Sequence, residues 1–156
     1  MSLFLLLKAL HIVGATVLLG TGAGIAFFML MAHRTRDARI IAHTAGVVVI
    51  ADTLFTATAV VVQPITGGSL AWMAGYPVLT GWVAVSLVLY VVVGAFWLPV
   101  VWMQLRMRDI ARRAVAENRE LPPAYHRLWR LWFAFGFPAF AAVLGIIWLM
   151  TAKPNF

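Results

Sequence analysis

Cysteine is absent from this chain, which excludes disulfides, thiolate metal sites, thiol catalysis and covalent haem attachment through a cysteine pair. Charge is scarce too. Asp, Glu, Lys and Arg together make up 11% of the residues, too little polar surface to coat a water-soluble globule. Missing as well are a GxGxxG at a strand–helix junction, a Walker loop, HExxH and GxSxG. Nucleotide chemistry and the common hydrolase chemistries are therefore not expected, and the sequence leans away from an enzyme.

What is present is apolar: the hydrophobic share is 63% and the mean hydropathy +0.95. Lipid is the solvent such a chain requires. The net charge of +7 is concentrated in two clusters between long apolar runs. That pattern sets topology and attracts anionic headgroups, and it does not make a nucleic-acid surface.

Four apolar runs, about Leu3–Ala32, Ile40–Val62, Val78–Met103 and Leu128–Thr151, each exceed the roughly 20 residues needed to cross a bilayer. The first is read as a retained helix, because its positive cluster follows the apolar run where a signal peptide carries it before. The expected architecture is all-α: one membrane domain over residues 1–156, a four-transmembrane-helix bundle. Arg34, Arg36 and Arg39 lie in the first connector, and Arg106, Arg108, Arg112, Arg113, Arg119, Arg127 and Arg130 lie in or beside the third. The second, QPITGGSLAWMAGYP, carries no charge. The positive-inside rule then puts both basic connectors in the cytoplasm and both ends outside, in a bacterial inner membrane. Residues 104–127 read as an amphipathic cytoplasmic connector, a helical extension of the third span ended by Pro122-Pro123, with Met103, Met107, Ile110 and Ala114 as an apolar stripe resting against the headgroups.

Ionisable groups inside a span are costly and are candidates for function. Lys8 and His11 are three residues apart near the outer end of the first span. Lys8 can snorkel to the interface. His11 is deeper and shorter and needs a partner in the bundle; it is a structural hydrogen-bonder, a haem or metal ligand, or a proton-transfer group. On a straight helix His11, Ala15, Leu18, Gly22, Met29 and His33 share a face, with roughly 33 Å between the two histidines. No other histidine matches the depth of His11, so two histidines of one subunit cannot sandwich a haem there. His33, His43 and His126 share the inner boundary and are weak candidates to converge on a haem or metal; the plainer alternative is ordinary connector residues. Asp52, near the middle of the second span, forms a polar stripe with Thr56 and Gln63, either a proton or ion path or a protonated carboxyl bonded locally. Gly20 with Gly24, and Ala141 with Gly145, are small-residue pairs that allow close helix packing.

Taken together, KALHIVGATVLLGTG, DTLFT, QPITG, WLPVVWMQLRMRDIA and GFPAFAAVLGIIWLMTAKP resemble the bacterial family of predicted integral membrane proteins known as domain of unknown function 2269. The most specific pieces are Lys8-x-x-His11-Ile12 and Met150-x-x-Lys153-Pro154. That resemblance implies topology and no activity. The Lys-x-x-His-Ile start is also similar, more distantly, to membrane protoporphyrinogen oxidases of the HemJ type and to copper-resistance D proteins. The HemJ likeness implies a haem-associated role for His11. The lysine that HemJ-type proteins use in the third helix has no counterpart in Val78–Met103, so protoporphyrinogen oxidation is not implied.

Three functions are open from sequence. The first is a site for haem b, a metal or a proton built from Lys8, His11 and Asp52. The second is a proton- or ion-coupled transport component using Asp52, Thr56 and Gln63. The third is a non-catalytic subunit or assembly factor, working in a homo-oligomer or a larger membrane complex.

Overall fold

The computed structural model describes residues 2–155, and among these there are four long helices and no strand. They are α1 (Leu3–Thr35), α2 (Ala38–Met73), α3 (Gly81–Ala116) and α4 (Pro123–Ala152), each long and apolar enough to cross a membrane. The all-α four-span architecture expected from the sequence is the one observed.

The first connector collapses into a turn of two residues. Arg36 enters the left-handed region at φ 59° and closes α1, its N–H reaching the His33 carbonyl. Asp37 then caps α2, accepting the Arg39 N–H at 2.7 Å. At the other end of the bundle Gly75, at φ 74°, turns the chain out of α2. Pro123 opens α4 at a position where its missing N–H costs nothing.

One helix runs further than the sequence suggested. The second span was expected to stop near Val62, before a loop starting QPITGG, but α2 continues through Pro64 to Met73. Proline removes the N–H that would bond the carbonyl four residues back, here that of Val60. Tyr90 of α3 replaces it, donating its hydroxyl proton to the Val60 oxygen. Thr66 and Ser69 bond back to the Val62 and Ile65 carbonyls at 2.9 and 2.8 Å. With its backbone satisfied in this way, a membrane helix tolerates the proline.

The helical extension of the third span is found as expected: α3 passes Pro99 and runs unbroken to Ala116. Its basic extension does not lie on the headgroups by its apolar stripe. Met103, Met107, Ala111 and Ala114 are buried, and the first three join Ile25, Met29 and Ala32 of α1, Ile41, Ala45 and Val48 of α2, and Tyr125 and Trp132 of α4 in one core at the arginine-rich end. A stripe at three- and four-residue spacing fits a partner helix as well as a membrane surface, and here three helices compete for it. Elsewhere the outer surface is apolar, with Phe28, Val88, Val91 and Phe137 exposed as lipid-facing side chains.

The buried line on α1 also departs from the straight-helix expectation. His11, Gly14, Ile25, Met29 and Ala32 are buried, whereas Gly22 is exposed. His11, Ile25 and Ala32 fall on a seven-residue repeat. A straight projection drifts about 20° per heptad from such a seam, so over three heptads it selects the wrong neighbours.

Candidate functional site: a polar seam within the bundle

Six polar side chains are buried among the described residues: His11 on α1, Asp52, Thr56, Gln63 and Thr66 on α2, and Gln104 on α3. Five of them form two groups on the seams of α2, one at mid-helix and one toward its far end, with Gln63 beside the second.

The mid-helix group is built on a π-helical turn. At Asp52–Thr56 the ladder widens, so the Ala57 N–H bonds the Asp52 carbonyl five residues back. Such one-turn insertions are frequent at functional sites. The extra residue turns Asp52 and Thr56 inward together, both with under a tenth of their surface exposed. Trp97 Nε1 of α3 donates to Asp52 Oδ1 at 3.3 Å. Gln104, with its amide in the orientation that satisfies both neighbours, donates to Asp52 Oδ2 at 3.1 Å and accepts from Trp132 Nε1 of α4 at 3.3 Å. Both carboxyl oxygens thus face N–H donors, and no ion pair involves Asp52 among the described residues. The Thr56 hydroxyl sits in the same turn and is buried without a hydrogen bond.

The second group lies between α1 and α2. His11 Nδ1 and Thr66 Oγ1 are 2.8 Å apart. The imidazole edge rests on Gly67, where an added Cβ would stand 2.9 Å from His11 Cε1. Gly14 makes the matching approach one turn further along α1: a Cβ there would meet Gln63 Oε1 at 3.1 Å. That amide oxygen is buried and unpartnered.

The residues expected from sequence divide as follows. Asp52, Thr56 and Gln63 share the inner face of α2, as their spacing implied. Lys8 is exposed while His11 is buried, so the two are not brought together in one site. His33, His43 and His126 do not converge. His33 stacks on Trp129 with ring centroids 3.8 Å apart and lies 5.8 Å from His126, but His43 sits in a separate cleft with Arg112. No group of three or more His, Asp or Glu side chains suited to a metal exists among the described residues. Gly20 meets nothing within 4 Å of an added Cβ and Gly24 only Phe28 of its own helix, so within the protomer this pair packs no helix; Gly145 does, against Leu89 of α3 at 3.2 Å, while Ala141 beside it is exposed.

Sequence reasoning missed Trp97, Gln104, Trp132, Thr66, Tyr90 and the close-approach glycines Gly14 and Gly67. Gln104 falls in the segment that reads as cytoplasmic connector, and an indole has no periodic signature that separates a buried donor from an interfacial anchor.

No second histidine stands beside His11 among the described residues. The ring is packed between helices, with Nδ1 engaged by Thr66 and its Cε1 edge on the Gly67 backbone, and the other histidines stand at the opposite end of α1 or beyond it.

Fold and site together define a four-helix integral membrane protein with a buried carboxyl, met by two N–H donors and by no ion-pair partner among the described residues, at a π turn. The chain belongs to the family of predicted integral membrane proteins DUF2269, whose model matches residues 5–154. No curated protein and no solved structure matches it.

Proposed function

We propose that this protein takes up and releases protons inside the membrane, as a component of a proton-coupled process, with Asp52 as the exchanging group. One observation carries this reading: a carboxyl only 5% exposed, in a span, held by two N–H donors and by no cation. Ionisable groups so placed mark ion and proton paths. The Thr56 hydroxyl beside it and the Gln63 oxygen further along α2 are buried without partners, and each such atom costs about 1–3 kcal/mol unless water or a proton carrier meets it. Thr66 and His11 continue the polar seam toward the end of the bundle without arginines. Lys8, exposed nearby, serves the interface. In this proposal the arginine-rich end faces the cytoplasm of a bacterial inner membrane and both chain ends face away from it.

Proton flux into liposomes containing the purified protein tests the idea. We expect Asp52→Asn to abolish a flux that Thr53→Ala, on the exposed side of the same turn, leaves intact. Equal flux in wild type and Asp52→Asn would sink it.

A second reading, a non-catalytic subunit, is favoured by the Gly20–Gly24 face of α1, which no helix of the same protomer covers. Small-residue faces let membrane helices approach closely. Cross-linking in native membranes separates the two: this second reading requires one constant partner or a second copy, and indifference to Asp52→Asn.

A further inference from the structure

Two clefts open at the arginine-rich end of the bundle. The larger, about 360 Å³, lies between α2 and α3 and is lined by Ala42, His43, Gly46, Val47, Ile50 and Arg112. Its size falls in the range of small-molecule sites, about 300–1,000 Å³. Its wall is apolar except at His43 and Arg112. Arg112 lays its guanidinium against α2 at Gly46, where an added Cβ would stand 3.2 Å from the terminal nitrogen. Gly46 is eight residues along α2 from Ala38, about 12 Å of helix. At this height Val47 and Ile50 are 52% and 60% exposed, as lipid-facing residues are. A cation has therefore been carried down to the level of the apolar surface, where it needs a counter-anion.

The described residues do not supply one. Of the acidic side chains, Asp109 pairs with Arg108 at 2.9 Å and Glu117 with Arg119. Asp37 caps α2, Asp52 is deep in the bundle, and Glu120 is exposed in the connector after α3 with no ion pair among the described residues. Among the described residues no ion pair involves Arg112.

We infer that this cleft binds one anionic phospholipid, its phosphate on Arg112 with His43 alongside and an acyl chain along Ala42, Gly46, Val47 and Ile50. The order along α2 agrees with the direction of a lipid: His43 lies nearer the basic end and Ile50 deeper. A guanidinium suits the phosphate because its N–H groups bind two oxygens at once. A free phosphate would gain little from the apolar wall, so the chain supplies the remaining affinity. The second cleft, lined by Trp102, Arg106, Asp109, Ile110, Arg113 and Leu128, carries a carboxylate beside its arginines and is a built-in control.

Native mass spectrometry of the full chain in detergent, titrated with phosphatidylglycerol or phosphatidylcholine of identical chains, tests this. We expect one phosphatidylglycerol retained in preference to phosphatidylcholine. Arg112→Gln should weaken that retention about fivefold or more, the loss of one surface cation's attraction. Gly46→Leu, which fills the cleft, should do the same, and Arg113→Gln should not. Excess glycerol phosphate should leave the lipid bound. Unchanged retention in Arg112→Gln overturns the inference, as does an equal loss in Arg113→Gln, which would mean diffuse basic charge. Displacement by glycerol phosphate overturns it too, because the anion alone would then suffice. Arg112 is exposed, so its variant carries the test whatever Gly46→Leu does to folding.

Discussion

Trp132 of α4 donates its indole N–H to the side-chain oxygen of Gln104 at 3.3 Å, and this decides which end of the Gln104 amide faces Asp52. With the oxygen held by Trp132, the NH2 group points at the carboxyl. Three helices are thereby tied to one buried acid. Because the bonds share Gln104, their contributions are not independent. We expect Gln104→Leu to cost about 1–3 kcal/mol of stability by leaving polar partners unpaired. Once Gln104 is leucine, the further loss on Trp132→Phe should shrink by about 0.5–3 kcal/mol, the coupling typical of one network. Detergent unfolding followed by circular dichroism measures the cycle, and strictly additive losses would refute the shared bond.

A second cycle concerns Pro64 and Tyr90. The Tyr90 hydroxyl bonds the Val60 carbonyl that Pro64 leaves free. Tyr90→Phe should cost about 1–3 kcal/mol in the natural sequence, as an orphaned buried carbonyl does. In a Pro64→Ala background the restored N–H satisfies Val60, and the same change should cost well under half as much. Equal costs in the two backgrounds would show that the hydroxyl does not replace the missing donor.

The glycines separate by position. Gly67→Ala places a methyl 2.9 Å from the His11 ring, and Gly14→Ala places one 3.1 Å from the Gln63 side chain. Each should lower stability by about 1–3 kcal/mol, the usual effect of overpacking. Gly20→Ala meets nothing within 4 Å and, for the isolated protomer, should gain up to about 0.5–1 kcal/mol from helix propensity. Thermal unfolding of the three purified variants gives the ranking; a Gly20→Ala as damaging as Gly67→Ala would contradict the packing described.

The absence of cysteine makes orientation directly measurable. Leu79, in the turn between α2 and α3, is 87% exposed, and Asn118 lies exposed after α3. Single substitutions Leu79→Cys and Asn118→Cys in intact cells should react with an impermeant maleimide at residue 79 only. Labelling at 118 would reverse the assigned orientation.

Much of the fold was legible in the apolar runs, because hydrocarbon admits few structures with unpaired backbone groups. Helix ends were less so. Pro64 reads as a breaker in isolation, and only the Tyr90 hydroxyl from another helix lets α2 continue. At the candidate site the period of α2 put Asp52, Thr56 and Gln63 on one face. The same reasoning could not choose among glycines: Gly20–Gly24 has the motif and meets no other helix among the described residues, while Gly14, which lacks it, closes on Gln63. A motif records that a helix can be approached, not whether a neighbour comes.

The sequence by itself determined that this chain lives in lipid, crosses it four times, and gathers its positive charge at one end. These follow from solvation, which each segment settles alone. Tertiary structure decided what each polar group touches: Asp52 against Trp97 and Gln104, His11 against Thr66, and Arg112 against no carboxylate among the described residues. Those pairings depend on the register of one helix against another, set by side chains more than thirty residues apart in the chain, and no local pattern encodes it.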